Sequence, residues 1–215
     1  MQEQQRVNVY IDGFNFYHGL RKARKEAPEF QRFYWLDIVK FFDHFILPGQ
    51  TLQKLYYFTA PDHDSIRRIR QDALLRANEL VNGTRFEVVN GVYYRKNIHC
   101  RLCKGQFYTH EEKCTDVNIS AYLMRDCAIN NVDAMMLITA DSDLSTPIKL
   151  TRTDYPDKQL RLFFPPELSS KALTKLMKEH RKTPIHLINH KQKFESSLLP
   201  DIVSGNGVTL TIPQK

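Results

Sequence analysis

The sequence has 215 residues, with 31 lysines and arginines against 24 aspartates and glutamates, which gives a net charge of +7. Hydrophobic residues make up 42% and charged residues 26%, which excludes a disordered chain and predicts one globular domain with its own core. No apolar run reaches the ~18 residues that a membrane span needs, and the start is polar, so we expect a cytoplasmic protein. The basic charge favours a polyanionic partner.

Strand-like and helix-like patterns alternate in the first part of the chain. In order, they predict a strand at 7–11, a helix at 14–25, a short helix at 36–42, a strand at 52–59, a helix at 64–80 and a strand at 86–90. In the first helix, Phe14 and Phe16 fit core packing better than contact with a substrate. Residues 91–114 have no clear helical pattern, and a segment of this length without regular structure is uncommon unless it has a function.

The alternation continues in the second part of the chain. The predicted elements are a helix at 115–130, a buried strand at 134–140, a helix that ends near 150, a strand at 159–164, a helix at 170–179 and a short strand at 185–188. Residues 1–195 are thus expected to form one domain, with residues 196–215 as an appendage. Such alternation predicts an α/β protein, a three-layer α/β/α sandwich with a central parallel sheet.

Four aspartates stand where this topology would bring them to one edge of the sheet. Asp12 follows the first strand, and Asp116 begins the helix before strand 134–140. Asp141 and Asp143 follow that strand directly. In parallel sheets, ligands bind at the carboxyl ends of the strands, near the point where the strand order reverses. We therefore expect these carboxylates to converge there.

Converging carboxylates predict a metal site. They would raise one another's pKa values unless a cation neutralised them, and all-oxygen ligands select Mg²⁺ or Mn²⁺. Such a site favours metal-assisted hydrolysis of phosphodiester bonds. Taken singly, each aspartate also suits a helix cap or a turn, so a purely structural role stays open.

Three motifs carry a resemblance to a known family. They are Tyr-Ile-Asp-Gly-Phe-Asn at 10–15, Glu-Lys-Cys-Thr-Asp-Val at 112–117 and Ile-Thr-Ala-Asp-Ser-Asp-Leu at 138–144. In this order they resemble the motifs of NYN-domain proteins, which are PIN-like nucleases. The resemblance implies a PIN-like α/β/α fold and a metal-dependent ribonuclease, most simply an endoribonuclease, with RNA as substrate.

The resemblance also implies roles for individual residues. Asp12, Asp116, Asp141 and Asp143 would be catalytic, as ligands of Mg²⁺ or Mn²⁺. Asn15 would position substrate or water beside Asp12, and Thr139 or Ser142 would hydrogen-bond the phosphate or a ligand carboxylate. Phosphatases that form an aspartyl-phosphate need a second acid at the position of Phe14, and a dinucleotide-binding fold needs a glycine-rich turn after the first strand. The sequence has neither feature.

The segment 91–114 contains a candidate structural zinc site. Cys100, Cys103, His110 and Cys114 are zinc-type ligands, and the close Cys-x-x-Cys pair matches half of a tetrahedral site. A zinc ion bound by these four ligands would stabilise a loop that has no other support. The alternative is a β-hairpin with unligated thiols.

The same segment combines basic and aromatic residues. Arg95 and Lys96 are predicted to bind substrate, because charge interleaved with stacking rings is typical of surfaces that hold single-stranded nucleic acid. The neighbouring residues of both kinds are Arg101, Lys104, Tyr93, Tyr94, Phe107 and Tyr108. Two alternatives to a ribonuclease stay open: a non-catalytic RNA-binding module and a small-molecule phosphohydrolase.

Overall fold

The computed structural model describes residues 4–62 and 64–212. The first part of the chain forms β1 (Gln5–Asp12), α1 (Gly13–Glu26), α2 (Ile38–Asp43), β2 (Gln50–Thr59), α3 (Ser65–Asn82), β3 (Phe86–Asn90), β4 (Val92–His99) and β5 (Gln106–Lys113). The rest forms α4 (Thr115–Ala128), β6 (Ala134–Ile138), α5 (Ser145–Asp154), β7 (Gln159–Phe164), α6 (Lys171–Glu179), β8 (Ile185–His186), α7 (Lys191–Ser196), β9 (Ile202–Gly205) and β10 (Val208–Thr211). In these ranges, no helix has the length and apolar character needed to cross a membrane.

The described strands build a central sheet of six parallel strands in the order β3-β2-β1-β6-β7-β8. The chain first builds outward from β1 to β3 and then returns to the other side of β1 with β6. The strand order therefore reverses between β1 and β6, whose register runs from Val7 opposite Ala134 to Ile11 opposite Ile138. The predicted three-layer fold with a parallel sheet is confirmed.

Alternating side chains of the central strands supply two cores, one on each face of the sheet. Val7, Val9 and Ile11 pack with α1, α2 and α7, where Phe16, Phe41 and Phe194 are buried. Tyr10 and Leu137 point to the opposite face, which α4, α5 and α6 cover with Ile119, Ile148 and Leu173. Because β1 and β6 are covered on both faces, their sequences read as nearly continuous apolar runs.

The segment between β3 and α4 has regular structure, contrary to expectation. β4 and β5 pair antiparallel, from Val92 opposite Lys113 at the base to His99 opposite Gln106 at the tip. Within the described residues these strands pair with each other and with no strand of the central sheet. None of the hairpin side chains that the structure describes belongs to a core cluster, so these residues lack the apolar alternation from which sequence patterns predict strands.

The residues after 195 contact the body of the protein. β9 and β10 form a second antiparallel hairpin, and Val203 packs with Trp35 and with Ala77 of α3. The indole Nε1 of Trp35 donates a hydrogen bond of 2.8 Å to the carbonyl oxygen of Pro200. The domain boundary at residue 195 remains a prediction.

A buried polar cluster joins β1 to α4. Asp126 is fully buried, and its Oδ2 accepts hydrogen bonds from Asn8 Nδ2 at 2.8 Å and from the Tyr10 hydroxyl at 2.7 Å. The guanidinium of Arg125 pairs with Asp126 Oδ1 at 2.8 Å. Burial, followed by the Asp126 charge, raises the pKa of Tyr10 well above its ordinary value, so the phenol remains a donor.

Replacement of Asp126 tests this cluster. We expect Asp126→Ala to lower the free energy of unfolding by about 2–4 kcal/mol, because the buried Asn8 amide and Tyr10 hydroxyl lose their acceptor. The matched control is Asp43→Ala, which removes an exposed partner of Arg85 and should cost at most about 1 kcal/mol. Urea denaturation of both variants measures the difference, and equal losses would contradict the assignment.

Candidate functional site

The turn from β1 into α1 fixes Asp12 at the carboxyl edge of the sheet. Asp12 is the N-cap of α1: its Oδ1 accepts from the backbone N–H of Asn15 at 2.9 Å, and its Oδ2 accepts from Asn15 Nδ2 at 2.5 Å. Gly13 is required because a Cβ there would lie 2.5 Å from the Tyr57 ring and 2.6 Å from the Phe58 carbonyl oxygen. The helix cap explains the Asp and the Asn of the local sequence Asp-Gly-Phe-Asn, and the close packing explains its Gly.

Thr139 connects this turn to the end of β6. Its hydroxyl is buried, donates to Asp12 Oδ2 at 3.0 Å and accepts from the backbone N–H of Asp141 at 3.0 Å. The Asn15 Oδ1 accepts from the N–H of Ala140 at 3.1 Å. The predicted residues Asp12, Asn15, Thr139 and Asp141 thus form one hydrogen-bonded chain at the point where the strand order reverses.

Asp116 and Asp143 lie beside this chain on the walls of one open groove. The groove has a volume of about 490 Å³ and runs between the first turns of α4 and the 3₁₀ turn Ser142–Leu144. Its other lining residues are Val117, Ser120, Ala121 and Met124. Asp143 is exposed, and its backbone N–H donates to Asp141 Oδ1 at 2.9 Å. We call Asp12, Asp116, Asp141 and Asp143 the acidic rim.

The acidic rim has a looser geometry than predicted. Asp12 and Asp141 are linked through Thr139, whereas Asp116 and Asp143 share the groove. Across residues 4–62 and 64–212, no three Asp, Glu, His or Cys side chains are grouped closely enough to hold a metal ion. The reason is local, since Asp12 and Asp141 are turned toward backbone N–H groups as caps.

The residues nevertheless fit a hard divalent cation. Mg²⁺ in proteins is commonly bound by one or two carboxylates, keeps several waters and takes further oxygens from substrate phosphates. Asp116 and Asp143, which share an open groove, are such a pair. Asp141 is joined to this pair by the hydrogen bond from the Asp143 N–H to its Oδ1. Asp12 is joined to Asp141 through the hydroxyl of Thr139.

Phe14 departs from the expected core position. It is 48% exposed, while Phe16 is buried, and its ring centroid lies 4.1 Å from that of His18. Burial, followed by the charges of Arg21 and Arg67, lowers the pKa of His18. The helical spacing alone could have predicted the exposure of Phe14, because this residue lies outside the buried face of α1. That face comprises Gly13, Phe16, Gly19, Leu20 and Ala23.

The predicted zinc ligands do not come together. Cys100 and Cys103 lie in the turn at the tip of the β4–β5 hairpin, whereas Cys114 follows its base. The strand register spans seven residue steps, about 24 Å at ~3.4 Å per residue. His110 pairs with Arg95 along the strands, and its side chain lies outside the described residues. One ion cannot bind both ends of the hairpin, so the four-ligand prediction is wrong.

The structure describes the side chains of some of the basic and aromatic residues of the hairpin. Lys96, Arg101 and Lys104 are exposed, as are Phe107 and Tyr108, at 52% and 56%. The predicted contact residue Arg95 has its side chain outside the described residues, as do Tyr93 and Tyr94. Ser142, the remaining predicted contact residue, is exposed, and its carbonyl oxygen accepts from the Ser145 hydroxyl.

The six-stranded parallel sheet between two layers of helices is consistent with a PIN-like α/β/α fold. The NYN domain family matches residues 6–195, and the chain belongs to this family. It is 24% identical to 6-hydroxy-3-succinoylpyridine 3-monooxygenase HspA of Pseudomonas putida, over 97% of this chain and 74% of the relative. A protein of unknown function from Vibrio parahaemolyticus has the same fold, with a TM-score of 0.54 and 16% identity over 82% of this chain and 91% of that one.

Replacement of Thr139 tests whether its hydroxyl holds the rim together. We expect Thr139→Val to lower the free energy of unfolding by about 1–3 kcal/mol, because the buried N–H of Asp141 loses its acceptor and Asp12 loses a donor. Thr139→Ser keeps the hydroxyl and should retain most of the stability. Chemical denaturation compares the two variants, and an equally stable valine variant would refute the linking role.

Proposed function

We propose that the protein is a metal-dependent ribonuclease that hydrolyses RNA phosphodiester bonds, acting as an endoribonuclease. The observation that carries this proposal is the acidic rim at the carboxyl ends of β1 and β6, in a chain of the NYN family. Endonucleolytic cleavage is favoured because the groove lined by Asp116 and Asp143 is open to solvent, so a chain end is not needed to reach it.

Each rim residue has a distinct role in this proposal. Asp116 and Asp143 would hold Mg²⁺ or Mn²⁺ in the groove, and such an ion would offset phosphate charge and lower the pKa of a water molecule. Asp12 adds negative charge at the buried end of the site, where Asn15 and Thr139 keep its carboxylate in one orientation. Asp141 orients the backbone that carries Asp143.

The β4–β5 hairpin is a candidate RNA-binding arm. It leaves the sheet after β3, where the Gly91 N–H donates to the Thr59 carbonyl oxygen at 2.7 Å, and it returns directly into α4, whose first turn contains Asp116. Its described lysines, arginine and rings are exposed, and its base adjoins the helix that carries Asp116. A surface of this kind suits a polymer with phosphates and unstacked bases, and a small phosphate ester would not need it.

The alternatives predict different outcomes. A non-catalytic RNA-binding module would bind RNA without turnover, and a phosphohydrolase would prefer nucleotides to RNA. The acidic rim supplies oxygen ligands of the kind used in metal-assisted hydrolysis, so we favour hydrolysis over the oxygenase chemistry in the name of the Pseudomonas relative.

Cleavage of single-stranded RNA tests the catalytic proposal. We expect cleavage with Mg²⁺ or Mn²⁺, its loss in EDTA, and at least a roughly 100-fold lower rate for Asp116→Asn and Asp143→Asn, because metal-held chemistry contributes several kcal/mol to such reactions. The rates are measured on end-labelled RNA by gel electrophoresis.

The matched control is Asp157→Asn, which changes an exposed aspartate of the loop before β7 and should leave the cleavage rate unchanged. Binding without cleavage under every divalent ion would establish the non-catalytic alternative. Faster turnover of nucleotides than of RNA would establish the phosphohydrolase.

The RNA-binding arm makes a separate prediction. We expect Phe107→Ala with Tyr108→Ala to weaken single-stranded RNA binding by about 1–3 kcal/mol for each ring that stacks on a base. Lys96→Ala should reduce the dependence of affinity on salt, because fewer counterions are released. Lys25→Ala is the control, since it lies at the far end of α1. Fluorescence anisotropy at several salt concentrations measures both effects, and wild-type affinity in the ring variant would exclude the arm.

A further inference from the structure

The tip of the β4–β5 hairpin holds two cysteines in a preformed turn. The backbone N–H of Cys103 donates to the Cys100 Sγ at 3.5 Å, and the N–H of Cys100 donates to the Gly105 carbonyl oxygen at 2.9 Å. Lys104 has a positive φ of 53°. A Cβ at Gly105 would lie 3.3 Å from the Cys103 Sγ, so glycine leaves room for that thiol. We call residues 100–105 the hairpin tip.

The hairpin tip orients the sulfur of Cys100. The backbone N–H of Cys103 donates to this sulfur, and N–H donors of this kind orient a sulfur ligand for metal binding. Cys100 is partly exposed and Cys103 is exposed, so both sulfurs are accessible from outside.

We propose that Cys100 and Cys103 form half of a structural zinc site, completed by the same two cysteines of a second copy of this chain. The product is a symmetric dimer joined at the hairpin tips by one tetrahedral zinc ion with four thiolate ligands. This proposal does not depend on chemistry at the acidic rim, although it uses the tip of the hairpin proposed as the RNA-binding arm.

The rest of the chain does not complete the site. A closed structural zinc site needs four ligands, and in the described part of the protein no third Cys, His, Asp or Glu joins the pair. Cys114 is about 24 Å away at the base of the hairpin, and Cys127 is buried in α4. His110, by register, is four residue steps from the tip, about 14 Å. A second molecule can supply the two ligands that the pair lacks.

Charge and exposed apolar surface both favour a second copy. One zinc ion with four thiolates leaves two negative charges, and Arg101 and Lys104 of each copy bring two positive charges close to them. Leu102, between the cysteines, is 96% exposed, and a facing tip would cover it. Because a two-fold interface uses the same patch twice, one half-site on each chain suffices.

The test uses the untagged, reduced, full-length chain, freed of metal and titrated with Zn²⁺. We expect a monomer without metal and a dimer at one zinc per two chains, as measured by light scattering and metal analysis. Cys100→Ser and Cys103→Ser should each abolish the dimer. Cys114→Ser, at the base of the hairpin, should dimerise like the wild type, and circular dichroism checks that all variants are folded.

Cobalt substitution identifies the ligands. A Co²⁺-loaded dimer should show the strong sulfur-to-metal absorption of four tetrahedral thiolates, and Zn²⁺ should displace it. Three results would overturn the proposal: zinc bound at one per chain in a monomer, a dimer that persists in chelator, or no zinc binding by reduced protein. A disulfide between Cys100 and Cys103 that forms in preference to zinc binding would also exclude it.

Discussion

The parallel pairing of β1 with β6 is the constraint on which the rest of the structure depends. Two side-chain links reinforce it, one at each end, and a third link joins β1 to α4. At the start, Arg6 pairs with Asp133 at 2.9 Å, and this guanidinium lowers the pKa of Asp133 to about 2. In the middle, Asp126 of α4 binds two side chains of β1. At the end, Thr139 binds Asp12. Polar contacts as well as burial therefore specify the register of the two strands. That register determines where the residues of the acidic rim lie relative to one another.

Asp12 combines a structural and a proposed chemical role. As the N-cap of α1 it satisfies the N–H of Asn15, and as the partner of Thr139 it joins two loops. Asp116 and Asp143, by contrast, stand on the walls of an open groove. The rim thus has a rigid half, fixed by the backbone, and an accessible half suited to an ion and a phosphate. Substitution of Asp12 by alanine would mix lost stability with lost chemistry, whereas asparagine keeps a capping oxygen.

The sequence predicts the central sheet well because β1, β6 and β7 are buried on both faces and their apolar runs leave no other assignment. It also predicts that the four aspartates share one edge, since the carboxyl ends of parallel strands meet there. It does not predict which carboxylates face one another, because that depends on the hydrogen bonds of Asp12 and Asp141 to nearby N–H groups. The β-hairpin at 92–113 was only the alternative to a zinc site, because its described residues belong to no core cluster and give no clear alternation. Spacing along the chain also misled the zinc prediction, since residues close in sequence lie at opposite ends of an extended strand.

The position of the hairpin in the chain has a consequence for how the protein can be divided. Asp12 precedes the hairpin, whereas Asp116, Asp141 and Asp143 follow it. β1 pairs with β2 in the first segment and with β6 in the second. A chain cut at the hairpin tip would give two fragments, neither of which contains the whole rim, and reassociation of β1 with β6 would rebuild it. The protein is thus suited to fragment complementation, with the reassembled rim as the reporter of association.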